Sequence, residues 1–162
     1  MTNQGFYSKQ TLQHFRNPHN YGEIKNASGI GEAGNIICGD VMSLYLKIKK
    51  NKKGEEVIKD IKFQTYGCAA AIATSSVITD LVKGKTIEQA SKISKDNIMK
   101  TLHGLPPIKI HCSILAIDAL GEAIYQYLLK NKKIIPSDLQ KRHERIEKDK
   151  KNIEQRYKKW YH

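Results

Sequence analysis

Two stretches of the chain alternate between apolar and polar side chains, and a short turn separates them. The first, residues 41–49, has apolar side chains at every second position, namely Met42, Leu44, Leu46 and Ile48. A period of two predicts a half-buried strand. A second alternation at residues 57–64 follows the turn-forming segment 51–54, so the two stretches predict an antiparallel hairpin. Residues 29–37 are predicted to add a third strand, although three glycines lie within residues 29–34.

Helical patterns occupy most of the remaining sequence. Helices are predicted at residues 8–16, 69–83 and 113–130, with two short ones that open at Thr86 and Ser94. Pro18 ends the first helix, because proline disfavours helical geometry in the residue before it, and Gly84 is typical of the residue after a helix end. Since the strands precede most of the helices, the order predicts an α+β fold, a small antiparallel β-sheet of about three strands covered on one face by helices.

Residues 137–162 are predicted to form an extra basic helix that follows a domain at residues 1–136. Ser137 and Gln140 have the spacing of a capping box that would open this helix. Apolar residues then recur at intervals of seven, at Leu139, Ile146, Ile153 and Trp160. The companion heptad positions are mostly polar, so the pattern predicts a charged helix that packs one narrow apolar stripe on its own domain or on a partner.

Charge and hydropathy narrow the class of protein. The 162 residues have a formal net charge of +12, but residues 130–162 alone contain 12 basic and five acidic side chains. The excess therefore belongs mainly to the C-terminal segment, and because acids are interspersed there, nucleic acid is not expected as a partner. The odd cysteine count, the lack of an 18-residue apolar run and the weakly charged N-terminus predict a cytoplasmic protein with no membrane partner.

The three cysteines lie in sequence contexts that favour metal binding. They occur as Cys38-Gly39-Asp40, as Gly67-Cys68-Ala69 and as His111-Cys112. Three thiolates with a carboxylate or an imidazole resemble a soft-metal site whose fourth position is weak, since full Cys₄ sets hold zinc or iron–sulfur clusters tightly. Cys68 and Cys112 are predicted to lie at helix starts, where the helix dipole stabilises an anionic sulfur. Whether Asp40 or His111 completes the site stays open.

Longer motifs make the sequence resemble a known family. They are Tyr7-Ser8, residues 14–22 (HFRNPHNYG), residues 38–40 (CGD), residues 67–73 (GCAAAIA) and residues 105–113 (LPPIKIHCS). In this order they resemble the NifU/IscU-type iron–sulfur cluster assembly scaffold proteins, from about Phe6 to Asn131. The resemblance implies a scaffold and not an enzyme. On it, a [2Fe-2S] cluster is built from iron and from persulfide sulfur supplied by a cysteine desulfurase, and is then passed to acceptor apoproteins.

The resemblance also implies roles for individual residues. Cys38, Cys68 and Cys112 would hold the cluster, Asp40 would keep it labile, and His111 would be the alternative fourth ligand. In this family a specialised Hsp70 chaperone, assisted by a J-domain cochaperone, reads a segment that corresponds here to Leu105, Pro106, Pro107, Ile108 and Lys109. The two prolines are expected to hold this segment extended and exposed, as a partner that grips a strand requires.

One alternative stays open at the level of sequence. A related sulfur-shuttle branch binds Zn²⁺ and accepts persulfide sulfur, and the same residues would allow that activity, with Zn²⁺ also possible in isolated protein. That branch replaces the histidine and carries an insertion between the second and third cysteines. His111 is present and no extra element is evident between Cys68 and Cys112, so the cluster scaffold is favoured. The basic tail contains no cysteine and is expected to be dispensable for cluster binding.

Overall fold

The protein is described here by a computed structural model, for residues 5–35 and 39–159. Its sheet has three antiparallel strands in the order β1-β2-β3. They are β1 Gly29–Gly34, β2 Val41–Lys50 and β3 Glu56–Tyr66. The predicted hairpin is confirmed, with Leu44 opposite Phe63. The predicted third strand is also confirmed, but it ends at Gly34, and residues 36–37 of that prediction lie outside the described residues.

Six α-helices complete the described fold. They are α1 Lys9–Arg16, α2 Ala69–Val82, α3 Ile87–Ser91, α4 Lys95–Thr101, α5 His111–Lys130 and α6 Ser137–Lys158. Along β2 buried side chains alternate with partly exposed ones, and the buried face packs with the apolar residues of α2 and α5 in one core. The predicted α+β class, with a three-stranded antiparallel sheet and an additional C-terminal helix, is confirmed.

Helix boundaries agree with the predicted caps at most ends. Thr86 and Gln89 form a capping box at α3, and Gly84 after α2 has a φ of +82°, a left-handed conformation that glycine adopts without strain. The capping box predicted at Ser137 is wrong: Pro136 occupies the N-cap position, so Ser137 is already the first helical residue.

Helix α5 is the central element of the core, and the glycines of β1 are explained by its position. A Cβ atom on Gly31 would lie 2.1 Å from the carbonyl oxygen of Ala119 and 2.2 Å from the amide nitrogen of Ala123. The helix backbone therefore contacts the strand directly, which only glycine permits. Residues 107–130 are long and apolar enough to cross a membrane by length and composition alone, but 78% of their most apolar window is buried inside the protein.

Helix α6 packs its apolar stripe on its own domain. Leu139 and Ile146 are each only 4% exposed, and Leu139 is part of the main core. Ile153, two turns further on, is partly exposed, and its Cδ1 atom lies 3.7 Å from the point where a Cβ of Gly34 would be. Trp160, the last residue of the predicted stripe, lies outside the described residues.

Candidate metal centre

The first turns of α2 and α5 bring two cysteines together. Cys68 is the N-cap residue of α2, and Cys112 is the second residue of α5. Their Sγ atoms are 3.8 Å apart. Cys112 is fully buried and Cys68 is half-buried. Both sulfurs therefore lie at positive helix ends, where a thiolate is stabilised by the aligned peptide dipoles.

Asp40 faces both sulfurs from the loop between β1 and β2. Its Oδ2 atom lies 3.9 Å from the Sγ of Cys68 and 3.9 Å from that of Cys112. The loop is closed by two backbone hydrogen bonds of 2.9 Å, in which Asn35 donates to the carbonyl of Asp40 and Gly39 donates to that of Asn35. Since Asp40 is only 8% exposed, its carboxylate is held within the site and is not displayed to solvent.

The glycine before Cys68 makes this close approach possible. A Cβ on Gly67 would lie 3.0 Å from the Cγ of Asp40 and 2.7 Å from the Cβ of Ala71. These separations are too short for a side chain in a well-packed interior. The motif Gly67-Cys68-Ala69 thus has a steric explanation, because any larger residue at position 67 would displace the carboxylate or the start of α2.

His111 supplies a third kind of ligand atom, an imidazole nitrogen. One ligand atom each from Asp40, His111 and Cys112 can be chosen so that all three lie within 4.8 Å of one another. The Nε2 atom of His111 is buried and has no hydrogen-bond partner among the described residues. A buried polar atom without a partner costs free energy and calls for an explanation, and coordination of a metal would supply one. The helix predicted from about Ser113 begins two residues earlier, at His111.

The structure thus brings four of the five predicted ligands together. Asp40, Cys68, His111 and Cys112 converge, whereas Cys38 lies outside the described residues and its role stays a prediction. Two sulfurs, one carboxylate oxygen and one imidazole nitrogen suit Zn²⁺ or iron better than Mg²⁺ or Ca²⁺, which prefer oxygen ligands. The donor set therefore fits the soft metal expected from the sequence.

Two further residues lie beside the thiols, and sequence reasoning did not assign them to the site. The negative charge of Cys68 raises the pKa of Lys109 above its usual value. Burial, and then the charge of Cys68, raise the pKa of Tyr7. Tyr7 and Cys68 also pack against the small buried cluster that contains Cys112. Neither Lys109 nor Tyr7 lies next to a cysteine in the chain. The sequence pointed to them only through the motifs that contain them, residues 105–113 and Tyr7-Ser8.

The segment Leu105–Lys109 has a mixed conformation. Pro106 has φ −54° and ψ 141°, which is extended, but Pro107–Lys109 form a 3-10 turn. The expectation that the whole segment is extended is therefore wrong. Proline is pre-organised for a first helical position, and the amide of Lys109 donates a 2.8 Å hydrogen bond to the carbonyl of Pro106. Ile108 at the middle of the turn is 68% exposed. Recognition of this segment by a chaperone stays a prediction.

The fold and the site define a class of protein: a small α+β domain in which two helix starts and one sheet loop hold thiol, carboxylate and imidazole ligands for a soft metal. The model of the NifU-like N-terminal domain matches residues 6–134. The chain therefore belongs to the NifU_N family, and the resemblance predicted from its motifs is confirmed. The match ends before helix α6 begins at Ser137.

Named relatives agree with this family. The iron–sulfur cluster assembly scaffold protein IscU 1 of Archaeoglobus fulgidus is 55% identical over 128 residues, which cover 79% of this chain and 80% of that protein. The corresponding IscU of Aquifex aeolicus is 42% identical over 128 residues, with the same shares covered. The crystal structure of the N-terminal part of a NifU-like protein from Brucella abortus superposes with a TM-score of 0.62 at 22% identity, covering 77% of this chain and 96% of that one. At that identity the likeness shows the fold alone.

Proposed function

We propose that the protein is a scaffold on which a [2Fe-2S] cluster is assembled and from which it is passed to acceptor apoproteins. The observation that carries this proposal is the position of Asp40 Oδ2, 3.9 Å from each of two cysteine sulfurs. A hard carboxylate oxygen competes poorly with thiolate for iron, so a cluster held here would have one weak attachment. A carrier needs such a site, whereas a permanent electron-transfer centre does not. The names of the two IscU relatives support the same reading.

Each ligand has a distinct role in this proposal. Cys38, Cys68 and Cys112 hold the iron atoms through thiolates, as the three-cysteine pattern of the sequence suggests. Asp40 or His111 completes the set. The buried Nε2 of His111, without a partner among the described residues, supports a bound state in which the imidazole takes over when Asp40 dissociates. The protein acts as scaffold and carrier and not as enzyme, because it assembles and releases a cluster and turns over no small-molecule substrate.

Sulfur enters as persulfide from a cysteine desulfurase, and each transferred sulfur becomes cluster sulfide by taking two electrons from an external electron-donor protein. Cys68 is the more exposed of the two described cysteines, and its thiolate can attack the terminal sulfur of a donor persulfide. The sulfur–sulfur bond of the donor breaks, and its cysteine thiolate leaves. Lys109, whose raised pKa reflects the charge of Cys68, keeps a positive charge beside the attacking sulfur and the incoming anion.

Release involves partners that contact the turn before α5. We infer that an Hsp70 chaperone with its J-domain cochaperone binds Leu105, Pro106, Pro107, Ile108 and Lys109, and that this contact loosens the first turn of α5, where His111 and Cys112 lie. The exposure of Ile108 supports an apolar contact. The cytoplasm is the proposed location, because iron–sulfur scaffolds need reduced thiols.

A second candidate function is a zinc-bound persulfide acceptor. It is favoured by the mutual approach of Asp40, His111 and Cys112 within 4.8 Å, since a compact set of oxygen, nitrogen and sulfur ligands suits tetrahedral Zn²⁺. In that state Cys68 would remain available to accept sulfur. The two candidates differ in whether acid-labile sulfide accompanies the metal.

Anaerobic reconstitution separates the two functions. Metal-free protein is supplied with iron and sulfide in one sample and with zinc alone in a second, and iron, zinc and acid-labile sulfide are quantified on each, with Mössbauer spectroscopy for the iron. Equal iron and sulfide with a [2Fe-2S] spectrum is the expected result. Cys68→Ser and Cys112→Ser should lower cluster content. Stoichiometric zinc in the second sample, with no cluster formed in the first, would overturn the cluster scaffold in favour of the zinc-bound acceptor.

A further inference from the structure

Helix α6 lies outside the part of the chain that matches the family, yet it is fixed to the domain by buried polar contacts. Asp118 and Glu122 of α5 are 8% and 3% exposed. Arg145 donates a 2.6 Å hydrogen bond to Asp118, and the Nδ1 atom of His143 lies 2.9 Å from both carboxylate oxygens of Glu122. With buried Leu139 and Ile146, these contacts fix the first two-thirds of α6 on α5.

These contacts fix the orientation of α6 on the domain. In this orientation the C-terminal end of α6 lies beside the metal centre. A cavity of about 290 Å³ is lined on one side by Gly39 and Asp40 and on the other by Ile153, Arg156 and Tyr157. A second cavity, of about 250 Å³, is shared by His111 with Arg145 and Ile146. The helix therefore passes both residues that can supply the fourth ligand, and its last turns face the Asp40 side of the centre.

The residues at this end of α6 are suited to shielding an anionic site. Thiolates and a carboxylate give the ligand set a net negative charge, which a bound cluster only partly neutralises. Arg156 contributes a permanent cation on the same cavity as Asp40, and Ile153 and Tyr157 contribute apolar surface. A cation on this cavity offsets part of the negative charge of the ligand set, and apolar walls limit the approach of water.

We propose that the last turns of α6, residues 153–158, form the wall of the metal site on the Asp40 side and slow the loss of a bound cluster to water and to incoming thiols. This inference rests on the proposed function of the site. It gives the tail two separable roles. Residues 137–149 dock the helix, and residues 153–158 cover the weakest ligand. The expectation that the tail is dispensable then holds for cluster loading but not for cluster lifetime.

Two variants and a matched control test this role. A chain that ends at Asn152 keeps Leu139, His143, Arg145 and Ile146, so it should melt close to the full chain in the metal-free state. Arg156→Gln removes the cation alone and leaves the helix intact. Lys151→Gln, an exposed position that does not line either cavity, removes the same charge elsewhere on α6 and is the control.

The measurement is the lifetime of the cluster in protein loaded anaerobically and then challenged with EDTA and dithiothreitol. All four proteins should load the same amount of cluster. The half-life should fall several-fold in the chain that ends at Asn152, fall less in Arg156→Gln, and stay unchanged in Lys151→Gln. Equal half-lives in all four proteins would overturn the inference, and so would an equal loss in Lys151→Gln, which would indicate a general charge effect.

A failure of this inference can be distinguished from a failure of the proposed cluster-scaffold function. If the full chain takes up Zn²⁺ but no cluster, the cluster scaffold fails, and the rate of Zn²⁺ transfer to a chromogenic chelator then replaces the cluster half-life as readout. Faster Zn²⁺ transfer from the chain that ends at Asn152 than from the full chain would support the role of residues 153–158 as a wall of the site. Equal rates of transfer would overturn that role. A full chain that holds neither metal nor cluster overturns both proposals.

Discussion

Asp40 is the residue on which the behaviour of the site depends most. Its carboxylate faces the two sulfurs, whereas its backbone closes the loop through Asn35. Asp40→Ala should therefore leave the loop intact and remove a hard, weakly competing ligand. The variant should keep its [2Fe-2S] cluster longer in air and transfer it more slowly, with Cys38, Cys68, Cys112 and His111 left to hold the iron.

Cluster half-life measured beside the unfolding midpoint checks this prediction. Asp96→Ala, which removes an exposed carboxylate in the first turn of α4, is the control for loss of charge. A shorter-lived cluster in an Asp40→Ala protein of unchanged stability would contradict the role assigned to the carboxylate. A joint fall in stability and cluster content would indicate a structural role in the loop.

Tyr127 gives a prediction for alkaline pH. Burial, and then its 2.7 Å hydrogen bond to Glu56, raise the pKa of Tyr127 from 10.0 to about 12. The folded state therefore retains a proton that the unfolded chain loses above pH 10. Between these two pKa values the unfolded state binds fewer protons than the folded state. The contribution of Tyr127 to the free energy of unfolding is therefore fully present below about pH 10 and is lost as the pH rises toward about 12.

The corresponding measurement is urea unfolding at several pH values. Between pH 9 and 11.5 the wild-type protein should lose more stability than Tyr127→Phe, because the variant has no phenol to ionise and leaves Glu56 its contact with Lys133. Tyr157→Phe, an exposed tyrosine, should follow the wild type. Parallel curves for wild type and Tyr127→Phe would contradict the assignment.

At the scale of elements, the contact between β1 and α5 sets the strictest steric requirement. Gly31→Ala would place a methyl group 2.1 Å from the backbone oxygen of Ala119, and a helix backbone cannot yield as a flexible side chain can. We expect a loss of about 3 kcal/mol or more, at the upper end of the range for overpacked cores. Gly34→Ala in the same strand, where the nearest atoms are at 3.7 Å, should cost far less. Unfolding midpoints in urea compare the two, and equal losses would contradict the argument.

Elements with a local cause were predictable from the sequence. The alternation at residues 41–49 and the capping box at Thr86 depend on neighbours in the chain, and both are confirmed. The capping box at Ser137 failed because Pro136 takes the N-cap position. The motifs predicted that Asp40, Cys68 and Cys112 lie close together. The distances between them could not be derived from the sequence, because the three residues lie on separate elements. The pairing of His143 with Glu122 had no sequence signal, because its partner is 21 residues away.

For the whole molecule, metal binding should contribute to folding. Without a cation, thiolates and a carboxylate within 3.9 Å of one another repel, and the buried Nε2 of His111 lacks a partner among the described residues. The metal-loaded protein should therefore melt at a higher temperature than the metal-free protein. Differential scanning calorimetry before and after EDTA treatment tests this, with metal content measured on both samples. An unchanged melting temperature after proven metal loss would contradict it.

The pairing of α6 with α5 has a consequence for where this domain can be cut. Asp118 and Glu122 are four residues apart on one helix, so their like charges repel, and both are more than nine-tenths buried. A fragment that ends at residue 134, where the family match ends, would lose Arg145 and His143 and leave two adjacent anions on a newly exposed apolar surface. Such a fragment should therefore unfold at a lower urea concentration than the full chain. The family boundary and the folding boundary of this protein are therefore different positions in the chain.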